Sequence, residues 1–137
     1  MTLPAFSPER TAAVAAGRVR LAALAGQRKT IDVSALADFG IVSAPGEWAS
    51  VCLGRGAFNS SGEQVTLTPQ TSVLVGQGRL RLATVNGYLD QWAVYGDLPS
   101  LLVTDLSGDG RIWHLDGLHR LLAARLVNAT LAADIAR

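Results

Sequence analysis

The chain has 137 residues, of which 49% are hydrophobic and 17% are charged. This length and apolar content indicate one globular domain with its own core, and they exclude a disordered protein. The formal net charge of +1 provides no strong overall field toward nucleic acid or membranes. No apolar stretch reaches the length of a membrane span, and the N-terminus lacks a signal-peptide pattern. We therefore expect a cytoplasmic protein without membrane contact.

Residues 1–28 are predicted to form an N-terminal helical arm. Ser7 is a typical N-cap residue, Pro8 suits the first helical position, and Gly26 can end the helix. Most apolar residues between them are small, so the helix needs support from the domain or from a neighbouring subunit. The arm is therefore the candidate contact for a homo-oligomer or an assembly partner. The basic side chains of the arm could contact an anionic partner, but we favour a face of the helix that is exposed to solvent.

Residues 29–137 are predicted to form a single domain with a β insertion at about residues 41–79. In the insertion, residues 48–53 and 65–68 are interpreted as the two strands of a hairpin, because a polar, glycine-bearing loop separates them. Residues 73–75 form a candidate third strand. The single cysteine excludes an internal disulfide and a multi-cysteine zinc site, and its apolar neighbours predict a buried thiol.

The elements outside the insertion alternate between strands and helices. Residues 30–33 are predicted as a short strand, and residues 34–40 as a turn or short helix that Gly40 closes. Further along, alternating Arg and Leu at residues 79–82 predict a strand with a basic outer face, and Thr84 is a candidate cap for a helix over residues 85–92. Three later strands and one further helix complete the pattern, with strands at residues 101–104, 111–115 and 131–135. The predicted class is α+β, a small mixed β-sheet flanked by helices.

The most informative stretch is a strand-to-helix junction with the sequence Asp116-Gly117-Leu118-His119-Arg120. The first N–H groups of a helix lack intrahelical partners and point outward with the positive end of the helix dipole. A glycine lets an anion approach the backbone closely, and His119 and Arg120 add side-chain donors. The junction therefore predicts an anion site suited to phosphate. Asp116 is equally well interpreted as the N-cap of this helix.

This junction resembles the Asp-Gly-X-His-Arg signature of the ParB/sulfiredoxin-like superfamily. Upstream, a helix bearing Val85 and Tyr88 and the later Leu98-Pro99 pair resemble the superfamily more loosely. The resemblance implies a ParB/sulfiredoxin-like fold. Leu118 occupies the position where sulfiredoxins carry their reactive cysteine, which argues against sulfinic-acid reduction. The basic second motif of chromosome-partitioning members has no convincing equivalent either.

The resemblance also implies a function for the junction. Gly117, Leu118, His119 and Arg120 would hold the phosphates of a nucleotide, ATP or CTP with Mg²⁺, or the phosphate of a nucleic acid. In a nuclease or NTPase of this type, the catalytic residues would be Asp116, His119 and Arg120. Asp116 would then hold a metal ion or orient Arg120.

A second class of function stays open at this point. Stand-alone ParB-like domains with similar patterns occur among phage head-region genes, so the chain resembles such members too. This resemblance implies a non-catalytic structural protein, for example a phage particle component that takes part in virion assembly. The expected location is then the virion rather than the cytoplasm.

A calcium loop competes for the same region. Asp105, Ser107, Asp109, Gly110 and Asp116 follow the spacing of positions 1, 3, 5, 6 and 12 of an EF-hand loop. However, strand-like sequence stands where an EF-hand needs its entering helix, and position 12 normally carries a bidentate Glu. We therefore favour a tight hairpin turn, and calcium binding here is disfavoured.

Overall fold

A computed structural model describes residues 7–137, so residues 1–6 of the predicted arm lie outside the described part. The described residues form an α+β fold, and the predicted class is confirmed. The helices are α1 (Pro8–Ala25), α2 (Pro45–Cys52), α3 (Leu82–Tyr95) and α4 (Leu118–Leu126). The strands are β1 (Thr30–Asp32), β2 (Ile41–Ser43), β3 (Ser60–Leu67), β4 (Val73–Val75), β5 (Arg79–Arg81), β6 (Leu101–Thr104), β7 (Ile112–Asp116) and β8 (Leu131–Ala136).

A mixed six-stranded sheet in the order β2-β4-β7-β6-β8-β3 organises the fold. The β6–β7 and β3–β8 pairs are antiparallel, whereas β2–β4, β4–β7 and β6–β8 are parallel. The predicted antiparallel return from β6 to β7 and the predicted last strand are confirmed. Leu101 and Val103 of β6 share one buried cluster with Leu121 and Leu122 of α4. This cluster fixes the position of α4 against the sheet.

Helix α1 forms with the caps that its sequence predicts. The Ser7 side chain accepts a hydrogen bond from the backbone N–H of Arg10, and Gly26 ends the helix with a positive φ of 60°. Val14 and Leu21 are buried in the common core, so the helix packs on the domain. A Cβ at Gly17 would lie 3.1 Å from the backbone oxygen of Leu126, which shows how closely α1 approaches α4. Within the described residues, no helix is both long and apolar enough to cross a membrane.

The predicted hairpin is wrong. Residues 48–53 form the end of α2 and the start of a short 3-10 turn, and β3 pairs with β8 at the other end of the chain. Pro45 in the first helical turn and Glu47 beside it favour a helix start, which outweighs the strand-like apolar run. The predicted strand β4 is confirmed, and Cys52 is buried as expected. Burial raises the pKa of its thiol.

A second, two-stranded sheet pairs β1 with β5 in antiparallel register. Within β5, the Leu80 side chain is completely buried, while Arg79 and Arg81 are exposed on the outer face, as the alternation predicts. The next helix begins earlier than predicted, because α3 starts at Leu82 directly after β5 rather than after Thr84. Because α3 starts early, it lies close to β5 and to α4. The candidate site depends on this arrangement.

Candidate functional site

The junction between β7 and α4 has the predicted strand-to-helix geometry. Asp116 is the last residue of β7, and Gly117 precedes α4 with a φ of 104°, a left-handed conformation that favours glycine. Gly117 is therefore the N-cap, and the interpretation of Asp116 as N-cap is wrong. No side chain in residues 7–137 caps this end of α4. The first N–H groups of the helix therefore lack a side-chain acceptor in that part of the chain, which suits them to an anion.

A cavity of about 190 Å³ lies at this end of the helix. All five residues that the sequence predicts for the site line this cavity, namely Asp116, Gly117, Leu118, His119 and Arg120. Tyr88 and His114 also line it. Tyr88 comes from α3, and His114 comes from β7. His114 stands two residues before Asp116, and side chains of a strand at that spacing point to the same face. The spacing could have signalled His114, whereas Tyr88 enters through packing between helices.

Arg120 lies over the cavity. Its guanidinium carbon stands 6.0 Å from the centre of the Tyr88 ring, within the range of a cation–π contact. The side chain also folds back toward Gly117, where an added Cβ would lie 2.5 Å from Nη2 of Arg120. The Nε atom of Arg120 is buried and has no hydrogen-bond partner in residues 7–137. The site therefore contains a buried cationic donor that lacks an acceptor.

His114 presents a second buried atom without a partner. Its Nε2 makes no hydrogen bond with the described residues, while its backbone oxygen accepts one from Nε1 of Trp48 at 2.8 Å. Burial lowers the pKa of His114 to about 4, and the positive charge of Arg120 acts in the same direction. The ring is neutral at pH 7, so it offers one donor and one acceptor nitrogen. His114 can thus hold a ligand without adding charge.

His119 has a contact that the sequence does not predict. Its Nε2 accepts a hydrogen bond from the backbone N–H of Arg81 at 3.0 Å, immediately before α3 begins. Burial lowers the pKa of His119, and the nearby charge of Arg81 lowers it further. With Nε2 as acceptor, the neutral ring carries its proton on Nδ1. The His119 side chain therefore links α4 to the start of α3.

The carboxylates near the site differ in their contacts. Asp116 is exposed at the rim of the cavity, and its side chain makes no ion pair with residues 7–137. In the β6–β7 turn, where calcium binding was disfavoured, Asp105 accepts hydrogen bonds from Arg137, and Asp109 accepts them from Arg111. Within the described residues, no group of three or more His, Cys, Asp or Glu side chains is arranged to hold a metal ion.

Comparison with known proteins gives no match to this chain among protein-family models, curated proteins or solved structures. The resemblance to the ParB/sulfiredoxin-like superfamily therefore stays a prediction based on the junction sequence.

Proposed function

We propose that the chain binds the phosphate group of a nucleotide, ATP or CTP, at the start of α4. The observation that carries this proposal is the buried Nε of Arg120, which has no acceptor in residues 7–137 although it lies beside an uncapped helix N-terminus. A buried donor without a partner costs about 1–3 kcal/mol. A phosphate oxygen would supply the acceptor and remove this cost.

The charges of the site support an anion rather than a neutral ligand. Arg120 forms no ion pair with a carboxylate in the described residues, and the first N–H groups of α4 add the positive end of the helix dipole. His114 is neutral, so it would meet a phosphate hydroxyl or oxygen without repelling the bound charge. Gly117 has no side chain, which leaves the backbone open to close approach.

The size of the cavity supports a phosphate group as the part that enters. Sites that enclose a whole small molecule usually have about 300–1,000 Å³. The cavity here has about 190 Å³, so the sugar and base of a nucleotide would lie outside it. A nuclease or NTPase activity forms the second part of this proposal. In that reaction Asp116, exposed at the rim, would hold Mg²⁺ or orient the attacking water, and Arg120 would stabilise the developing negative charge.

Thermal unfolding in the presence of ATP or CTP, with and without Mg²⁺, tests the binding. A ligand at about 100 times its Kd stabilises the folded state by about 2.7 kcal/mol, which raises Tm by several degrees. Arg120→Met should abolish this rise because it removes the cation and keeps much of the side-chain volume. Arg55→Met is the matched control, since Arg55 is an exposed arginine outside the cavity.

Two outcomes would overturn the proposal. One is the absence of any Tm rise with either nucleotide. The other is an equal loss of the rise in Arg120→Met and Arg55→Met, because a general charge effect would then explain the binding. Release of phosphate or cleavage of an oligonucleotide, lost in Asp116→Asn, would separately establish turnover.

A structural role in an assembly is the second candidate. Val19 on α1 and Tyr95 at the end of α3 are 70% and 64% exposed, and these two helices pack against each other. Single exposed apolar side chains are ordinary on a protein surface, so these two support an assembly contact only if a partner covers both helices. This candidate predicts an oligomer that persists in Arg120→Met and dissociates in Val19→Ser with Tyr95→Ser. A monomer at all concentrations would contradict it.

A further inference from the structure

Carboxylates hold only some of the basic side chains. Within residues 7–137 the ion pairs hold three arginines, namely Arg18 by Asp90, Arg111 by Glu47 and Asp109, and Arg137 by Glu63 and Asp105. The guanidinium of Arg28 donates only to the backbone oxygens of Leu24 and Ala25 in that part of the chain. Other cations without an ion pair there are Arg20, Lys29, Arg55, Arg79, Arg81, Arg120 and Arg125. Arg28, Lys29 and Arg81 differ from the rest because they lie around one groove that has no carboxylate in its lining.

Arg28, Lys29 and Arg81 lie around a groove of about 350 Å³, which we name the α3 groove. It is formed by Arg28, Lys29, Thr30, Arg81, Leu82 and Ala83. Three of these residues are cationic, whereas Leu82, Ala83 and the aliphatic stems of the long side chains give it apolar walls. The α3 groove therefore combines positive charge with a surface on which a flat apolar group can lie.

The α3 groove adjoins the phosphate cavity at Arg81. The backbone N–H of Arg81 donates to His119 Nε2 at 3.0 Å, and His119 lines the cavity. The charge of Arg81 also reaches this histidine, because it contributes to the lowered pKa of His119. The groove, with Arg28, Lys29 and Arg81, and the cavity, with Arg120, are thus adjacent and together form one surface beside the start of α4.

We propose that this surface binds a single-stranded nucleic acid, with one phosphate at the start of α4 and a neighbouring nucleotide in the α3 groove. The inference rests on the proposed phosphate site and extends it from a free nucleotide to a strand. The small cavity supports this, since it leaves the sugar and base outside. Further phosphates of a strand would lie beside the groove cations Arg28, Lys29 and Arg81.

The apolar walls favour an unpaired strand over the alternatives. A single strand exposes the flat faces of its bases, which can stack on the guanidinium planes of Arg28 and Arg81, whereas a duplex keeps those faces inside. An acidic peptide would match the charges, but it offers no flat group for the walls beside Leu82. The combination of phosphate-binding donors, spaced cations and apolar walls fits the chemistry of a single strand best.

Fluorescence anisotropy with a labelled oligothymidylate of about ten nucleotides, in EDTA to prevent cleavage, tests the inference. About three or four phosphate contacts to a single strand give a slope of log K against log salt of about −2 to −3. Lys29→Glu should weaken binding about tenfold and make the slope shallower by about 0.7 or more. Arg55→Glu, an equal change of charge at an exposed arginine outside the groove, should have less than about a threefold effect.

Ala83→Asp is the second variant, because it places a negative group in the groove at an exposed position in the first turn of α3, where an acidic residue suits the helix dipole. It should weaken binding of the strand and leave the Tm rise with ATP or CTP unchanged. Equal binding by both groove variants and the parent protein would overturn the inference. So would competition by a DNA duplex or by polyglutamate as strong as that of unlabelled single strand.

The outcomes distinguish this inference from the proposed function. A Tm rise with nucleotides but no binding of oligothymidylate overturns the strand and leaves the phosphate site intact. Strand binding that is lost in Lys29→Glu and also in Arg120→Met supports both. Absence of both kinds of binding overturns both.

Discussion

The two arginines of α4 have opposite surroundings. Arg125, near the end of the helix, is 3% exposed and donates hydrogen bonds to the backbone oxygens of Phe39, Pro69 and Thr71. Arg120, in the first turn, has a buried Nε without any acceptor in the described residues. The same side chain therefore serves two purposes on one helix. Where the protein supplies the acceptors the arginine holds the fold together, and where it does not the arginine is available to a ligand.

Each arginine is accompanied by a glycine in a left-handed conformation. Gly40 has a φ of 69° beside Arg125, and Gly117 has a φ of 104° beside Arg120. In both places, an added Cβ would lie 2.5 Å from a guanidinium nitrogen. The difference lies in the freedom of the arginine to move, because Arg125 is held by three carbonyls and Arg120 is not. The comparison can be tested at the arginines, at His114 and at the glycines.

The largest expected effect is that of Arg125→Met. The change leaves three backbone oxygens without their donor inside the protein, so we expect a loss of about 3–5 kcal/mol in the free energy of unfolding. Arg120→Met should not lower the same free energy and should raise it by up to about 1–3 kcal/mol, because it removes a buried donor that had no partner. Urea unfolding of both variants measures the difference. Similar losses in the two variants would show that the two surroundings do not differ in energy.

The next largest effect is the pH dependence of stability that His114 causes. Its pKa of about 4 in the folded protein lies below the ordinary value of 6.5, so the unfolded chain takes up a proton first as the pH falls. Above about pH 6.5 the His114 ring is neutral in both states, and its contribution to the free energy of unfolding is complete. As the pH falls from 6.5 to 4, this free energy decreases by up to roughly 3 kcal/mol. His114→Gln should lose less stability over this range. Parallel curves of unfolding free energy for the parent and the variant would contradict the burial of this ring.

The glycines give the smallest effects. Alanine at a left-handed position costs about 1–2 kcal/mol from the backbone alone. We expect Gly40→Ala to cost more than Gly117→Ala in urea unfolding, since Arg125 cannot move away without losing its carbonyls. Gly117→Ala should instead displace Arg120 and weaken nucleotide binding. Equal costs with unchanged nucleotide binding would show that Arg120 does not need its position over Gly117.

Local signals in the sequence predicted part of this molecule correctly. The caps of α1 and the β7–α4 junction depend on residues close together in the chain, and both were predicted. The pairing of β3 with β8 joins segments about 70 residues apart, so the alternation at residues 65–68 could not identify the partner strand. Arg125 falls on the apolar stripe of α4 with Leu121 and Leu122, but its three acceptors lie in segments far away in the sequence, so its hydrogen bonds could not be predicted. In the site, the motif residues were predicted, whereas Tyr88 depends on helix packing.

NMR observation of the arginine Nε–H resonances during titration with ATP or CTP tests most directly whether the start of α4 is a phosphate site. We expect the Arg120 Nε–H resonance to shift on binding, because the phosphate supplies its missing acceptor. The Arg125 Nε–H resonance should stay in place, and assignment through Arg120→Met and Arg125→Lys separates the two signals. An unchanged Arg120 resonance at saturating nucleotide, or equal shifts of both arginines, would contradict the claim that the start of α4 is a phosphate site.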